Sequence, residues 1–141
     1  MNLRPILLVE DNNDDAFFMQ RAFETAAVGN KVSIASDGEA AIEFLSSPDA
    51  SNELTRPCLV LLDLKLPYKS GFDVLEWIRA QPALRTLAVV VLTSSNEHSD
   101  ISRALELGAN AYIVKPSAYA DLTKLVTAIR DFWLRHHRPC I

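Results

Sequence analysis

The chain has 141 residues, 49% of them apolar and 23% charged, the make-up of one globular domain able to bury its own core. A formal charge of −4 disfavours a general role in coating nucleic acid or anionic membrane. Two cysteines, Cys58 and Cys140, give neither a disulfide framework nor a zinc-ligand spacing.

The opening MNLRPILLVED holds too short an apolar run for a secretory signal, and no later run reaches spanning length. A cytoplasmic protein without a membrane segment is expected. PILLVE forms the first strand and ends on Glu10, with Asp11 following. The next stretch, DNNDD, matches a calcium loop at its first, third and fifth positions. Ala16 stands where that loop needs Gly, however, and Ala22 where it needs Glu. Asp14 and Asp15 read instead as first-turn charges favoured by a helix dipole. Phe18, Met19, Ala22, Phe23 and Ala26 continue that helix as an apolar stripe, which Gly29 and Asn30 end.

KVSIA is the weakest of the strand runs and suits an edge. In SDGEAAIEFL, Ser36 and Glu39 offer a capping box, with Ala41, Ile42 and Leu45 on one face. SSPDASNELTRP reads as a surface loop. CLVLLD is a third strand ending on Asp63, and a carboxylate there costs desolvation energy unless something uses it. Ser70 caps a third helix carrying Val74, Leu75 and Ile78, which Pro82 terminates. LAVVVLT ends on Thr93 and Ser94. Ile101, Ala104 and Leu105 mark a fourth helix stopped by Gly108. AYIVK ends on Lys115, and Ser117 opens a fifth helix with Leu122, Leu125, Val126, Ile129 and Trp133 inward. Cys58 reads as a small packed hydrophobe, Trp77 and Trp133 as packing residues.

Near-continuous apolar strands alternating with amphipathic helices predict an α/β domain: a doubly wound, five-stranded parallel sheet with five helices. Residues 1–141 read as one domain, with a core over about 4–134 and a tail over 135–141. In such folds ligands bind beyond the carboxyl ends of the strands, so Glu10, Asp11, Asp63, Thr93 and Lys115 should meet in one cleft. Two of those carboxylates about 4 Å apart would repel by roughly 4 kcal/mol at an effective dielectric of ~20. A hard divalent cation with oxygen ligands, such as Mg²⁺, removes that cost, and Lys115 neutralises one further charge. Asp63 then reads as a nucleophile able to form an aspartyl phosphate, with the cation, Lys115 and the Thr93 hydroxyl stabilising the transferred group. A glycosidase would need an aromatic-lined groove that the sequence does not suggest. Haloacid-dehalogenase phosphatases need a second Asp two residues after the first, and Lys65 stands there. The phosphoryl group should therefore linger.

ILLVED, LLDLKLPYKSG, VVVLTSS and AYIVKP, in that order, resemble the motifs of receiver domains of two-component response regulators, over nearly the whole chain. The resemblance implies the flavodoxin-like strand order 2-1-3-4-5 and Asp63 as phosphoacceptor. It implies a Mg²⁺ site, open also to Mn²⁺, with Asp11, Asp63 and the backbone carbonyl of Lys65 as ligands and Glu10 acting through water. Thr93 and Lys115 would contact the phosphoryl oxygens, and Lys115–Pro116 would be a cis peptide, an isomer accessible to an X–Pro bond. Tyr112 would be the switch aromatic that moves with Thr93, the alternative being an ordinary half-buried strand residue. The readout face would be the fourth helix, fifth strand and fifth helix. Lys65 and Ser95 occupy variable positions that tune dephosphorylation.

The long DLKLPYKSG loop and the lack of an output domain, including a nucleic-acid-binding one, resemble stand-alone regulators paired with bacterial phytochrome-type histidine kinases. The implied function is a switch phosphorylated by a sensor histidine kinase, catalysing only its own phosphorylation and slow dephosphorylation. A homodimer through the readout face and a downstream protein of unknown identity are the implied partners. A phosphorelay intermediate serving a histidine phosphotransfer protein is an alternative. So is a constitutive interaction module, whose mark would be loss of Asp, Thr or Lys at the site. In the tail, Arg130, Arg135, His136, His137 and Arg138 read as a solvated helix end, and Phe132 and Trp133 suit a dimer contact. His98 and the paired histidines lack metal-ligand spacing.

Overall fold

The computed structural model describes residues 3–46 and 56–136. Five parallel strands, β1 (Ile6–Val9), β2 (Val32–Ala35), β3 (Leu59–Leu62), β4 (Ala88–Thr93) and β5 (Ala111–Val114), form one sheet in the order β2-β1-β3-β4-β5. Five helices connect and follow them: α1 (Asn13–Thr25), α2 (Gly38–Ser46), α3 (Gly71–Ala80), α4 (His98–Glu106) and α5 (Tyr119–Ile129). A 3₁₀ turn at Pro82–Leu84 follows α3, and a π-helical stretch at Arg130–His136 extends α5.

The burial of the strands explains why their sequences do not alternate. β1, β3 and β4 are buried along their whole length, because both faces of the sheet are covered. Ile6, Leu8, Leu59, Leu61, Val90 and Leu92 face Met19, Ala22 and Phe23 of α1 and Val126 and Ile129 of α5. Leu7, Val9, Val60, Leu62 and Val89 face the opposite layer, Ala41 and Leu45 of α2 with Val74, Leu75 and Ile78 of α3. β2 is only partly buried, as its sequence predicts for an edge, and β5 forms the other edge.

Several local expectations need correction. The cap of α2 is Asp37 rather than Ser36: its Oδ1 accepts the Ala40 N–H at 2.7 Å, and Ser36 lies one residue too early for that bond. α1 ends before Gly29, at Thr25, with Ala26 as C-cap and Ala27 in the left-handed region at φ 57°. Phe18 lies outside the α1 stripe and is 47% exposed. α4 buries only Ala104, leaving Leu105 exposed. Ala118, not Ser117, precedes α5, without a side-chain cap. The Ser70 cap of α3 is as expected and is completed by Asp73 in a capping box. Residues 47–55 of the predicted surface loop and residues 137–141 of the tail lie outside the described residues, as does the burial of Arg135 and His136.

Two glycines fit places where a side chain would not. A Cβ on Gly71 would stand 2.2 Å from the Asp63 carbonyl oxygen, so the first turn of α3 can press against the chain leaving β3. Gly108, at φ 106°, closes the α4–β5 corner against the Arg79 side chain. Arg79 donates to the carbonyls of Gly108 and Leu87 and to Asn110 Oδ1, which ties the end of α3 to that corner.

Candidate active site

The strand ladders continue one residue beyond three of the strands and so set the site. β1 and β3 pair with Val9 opposite Leu62, and the Asp63 N–H donates to the Val9 carbonyl at 3.1 Å. Glu10 and Asp63 therefore emerge side by side. Across the sheet the Lys115 N–H donates to the Thr93 carbonyl at 2.7 Å. Residues separated by as many as 105 positions in the sequence thus reach one cleft.

Asp63 is buried there and both of its oxygens are engaged. Oδ1 accepts from Thr93 Oγ1 at 2.8 Å and from the Lys65 N–H at 3.2 Å, while Oδ2 accepts from Lys115 Nζ at 3.1 Å. Lys115 Nζ also donates to Glu10 Oε1 and, at 3.1 Å, to Asp15 Oδ2. The second Glu10 oxygen accepts the Asn12 N–H at 3.2 Å. Burial pushes the Glu10 carboxyl above its ordinary pKa, against the opposing pull of Lys115. Burial acts on Lys115 in the opposite sense, but its hydrogen bond to Glu10 and the charge of Asp63 outweigh it and hold the ammonium pKa above normal.

The Glu10, Asp11 and Asp63 carboxylates bring oxygens within 4.8 Å of one another. The Lys115 ammonium pairs with two of the three, Glu10 and Asp63, and with Asp15, which leaves an excess of negative charge in a hard, all-oxygen donor set. That chemistry fits a divalent cation such as Mg²⁺ or Mn²⁺.

The structure thus brings together Glu10, Asp11, Asp63, Thr93 and Lys115. The Lys65 side chain is exposed and its backbone N–H faces Asp63. Tyr112 sits beside the cleft: its hydroxyl donates to the Ser95 carbonyl at 2.9 Å, and its ring packs with Leu64, Phe72, Val91 and Ala104. Burial raises the pKa of that hydroxyl. The buried Ser95 Oγ in turn donates to Asp100 Oδ2 at 2.6 Å, joining the end of β4 to the first turn of α4.

One expectation fails. The Lys115–Pro116 bond is trans, with no cis peptide among the described residues. Trans is the favoured isomer even before proline, by about 0.5–1 kcal/mol, and in it Lys115 already reaches Asp63 and Glu10. Sequence reading also missed Asp15 as a partner of Lys115. Its signal is positional: it stands four residues after Asp11, on the first turn of α1, where a side chain can face the same cleft.

A 2-1-3-4-5 sheet with this acidic cleft at its carboxyl edge defines a flavodoxin-like α/β domain. More narrowly, the chain belongs to the response regulator receiver domain family, which matches residues 6–127. The response regulator Rcp1 of Synechocystis sp. is 40% identical over 92% of this chain and 88% of its own length. Its Mn²⁺-bound crystal structure has a TM-score of 0.81, covering 93% of this chain and 94% of that one. The phosphorylated cyanobacterial phytochrome response regulator RcpA is 37% identical, with a TM-score of 0.86 and 96% coverage of both chains. FilR2 of Methanothrix harundinacea, a probable methanogenesis regulatory protein, is 39% identical over 94% of this chain and 85% of its own. The chain is therefore a two-component signalling protein whose partner class is a sensor kinase. No described helix is long and apolar enough to cross a membrane.

Proposed function

We propose that Asp63 accepts a phosphoryl group from a phosphohistidine of a sensor histidine kinase and that the chain signals through the resulting conformational change. The observation that carries this reading is the environment of one carboxylate: Asp63 is held between the Thr93 hydroxyl and the Lys115 ammonium, within a trio of carboxylate oxygens. An Asp63 oxygen attacks phosphorus as the P–N bond to the donor imidazole breaks, and the released imidazole takes up a proton. Thr93 and Lys115 then exchange their bonds to Asp63 for bonds to phosphoryl oxygens. Asp11, Asp63 and the Lys65 carbonyl would hold Mg²⁺, or Mn²⁺ in its place, with Glu10 beside them. That cation, when bound, supplies neutralisation of the transferring group's charge. The residues catalyse only this self-phosphorylation and a slow hydrolysis, in which water attacks phosphorus, inorganic phosphate leaves and the Asp63 carboxylate is restored.

Thr93 and Tyr112 form the switch in this reading. The Thr93 hydroxyl moves toward the phosphate, and Tyr112, tethered to the Ser95 carbonyl two residues beyond Thr93, responds through that segment. Phosphorylation shifts the population only as far as it favours one state over the other.

The likeness to Rcp1 and RcpA supports a phytochrome-type kinase as donor, and membership of the receiver family supports a cytoplasmic site of action. A constitutive interaction module is disfavoured, because Asp63, Thr93 and Lys115 are all present and in contact.

The test is incubation with Mg²⁺ and acetyl phosphate, alongside Asp63→Asn. Wild type should gain one phosphoryl group and the variant none; equal labelling of both would move the acceptor elsewhere.

A further inference from the structure

A lysine ammonium has three N–H donors, and those of Lys115 meet carboxylates from three segments: Glu10 after β1, Asp63 after β3, and Asp15 in the first turn of α1. Glu10 and Asp63 also belong to the carboxylate trio with Asp11; Asp15 does not. A divalent cation in the trio and the Lys115 ammonium therefore compete for the same two carboxylates. Asp15 is the one partner that Lys115 can keep without taking an oxygen from the cation. It is also placed differently. Its side chain is 47% exposed, whereas those of Glu10 and Asp63 are 2% and 9% exposed, so Asp15 reaches Lys115 from the solvent side.

We propose that Asp15 is a positioning residue: it gives the Lys115 ammonium a partner outside the carboxylate trio, which Lys115 can keep when a cation takes oxygens of Glu10 and Asp63. This rests on the reading of Glu10, Asp11 and Asp63 as a divalent-cation site. Without Asp15, Lys115 has only Glu10 and Asp63 to pair with, and the cation must displace it from them with no partner left to hold it. The consequence is a loss of cation affinity that runs through Lys115 rather than through the lost charge alone. Asp14 is an internal control: it is exposed on the same turn, carries the same charge, and is not among the ion-pair partners of Lys115.

The experiment measures Mn²⁺ affinity of the full chain by electron paramagnetic resonance of the free ion. The variants are Asp15→Asn, Asp15→Glu, Asp14→Asn, Lys115→Met and the double variant Lys115→Met with Asp15→Asn. Asp15→Asn should weaken binding about fivefold or more, as expected for residues in direct contact. Asp14→Asn should change it less than about twofold, as a solvent-screened charge does. Asp15→Glu should recover most of the affinity, and in the Lys115→Met background Asp15→Asn should do no more than Asp14→Asn does. Equal effects of Asp15→Asn and Asp14→Asn, persistence of the Asp15 effect without Lys115, or no Mn²⁺ binding by wild type would each overturn the proposal. Acetyl phosphate labelling of Asp63 is scored separately, so loss of phosphorylation with the Asp15–Lys115 coupling intact would sink the phosphoacceptor reading alone.

Discussion

Lys115 carries more of the site than any other single residue, because its charge offsets two carboxylates that the sheet brings together, Glu10 and Asp63, and a third, Asp15, from the first turn of α1. Its pKa is raised in the folded protein, and the sign of the consequence follows from linkage. Below the ordinary lysine value of 10.5 the ammonium is charged in both the folded and unfolded chains, and its stabilising contribution is complete. As pH climbs past that value, the unfolded chain releases the proton first and the contribution is progressively lost. Urea midpoints measured between pH 9 and pH 11 should therefore fall more steeply for wild type than for Lys115→Met. Parallel lines for the two proteins would show that Lys115 has no such linkage. Glu10 has the same sign for a different reason. Burial raises its pKa, so in the cation-free protein stability declines as pH rises through its folded value.

At this scale the sequence was legible wherever a charged residue interrupts an apolar run. Asp63 after CLVLL and Lys115 after AYIV are conspicuous because strand ends in a buried sheet offer few reasons for a charge. Asp15 was not legible: on an amphipathic helix a first-turn acid is already explained by the dipole, and its partner lies 100 residues away. The isomer of Lys115–Pro116 was equally hidden, since the sequence shows only that both forms are accessible.

Among the elements, the passage from β3 into α3 is the most constrained. The strand must deliver Asp63 to the cleft, and the helix must start within a few residues without pulling it away. Gly71 makes that possible by letting α3 rest against the Asp63 and Leu64 backbone. Gly71→Ala should shift that backbone and cost about 1–3 kcal/mol, the usual range for overpacking, read as a lowered urea midpoint. An unchanged midpoint would mean that the contact relaxes freely. The strands and their helices could be read from hydrophobic period and from Gly and Pro punctuation. Cap positions were less legible, because in SDG two adjacent residues can each cap a helix and only the backbone path selects Asp37. The Phe18 error has a related cause: a helical stripe marks apolar residues without showing how far the packed neighbour extends. Phe18 lies beyond the buried face of α1, with its ring centroid 6.0 Å from that of Tyr119.

For the molecule as a whole, alternation of strand and helix dictates a parallel sheet with both faces covered, and the cleft at its carboxyl edge follows from that architecture. The order of the strands does not follow from the alternation; it was available only through the family resemblance. The family resemblance implies a homodimer through the readout face. The face formed by α4, β5 and α5 leaves Leu105 and Val114 exposed, and α4 itself is held lightly, with one buried residue. If this face joins two copies, Leu105→Asp with Val114→Lys should convert a sedimenting dimer into a monomer while leaving the circular dichroism spectrum intact. Monomeric wild type at every concentration and phosphorylation state would show that this face does not join two copies.

Whether the Asp63 carboxylate itself takes the phosphoryl group is read by intact-mass spectrometry. After incubation with acetyl phosphate, wild type should carry one phosphoryl group that requires Mg²⁺ or Mn²⁺, is lost on treatment with hydroxylamine as an acyl phosphate is, and is absent from Asp63→Asn. A group that survives hydroxylamine, or that attaches equally to the variant, would mean that Asp63 is not the phosphoacceptor.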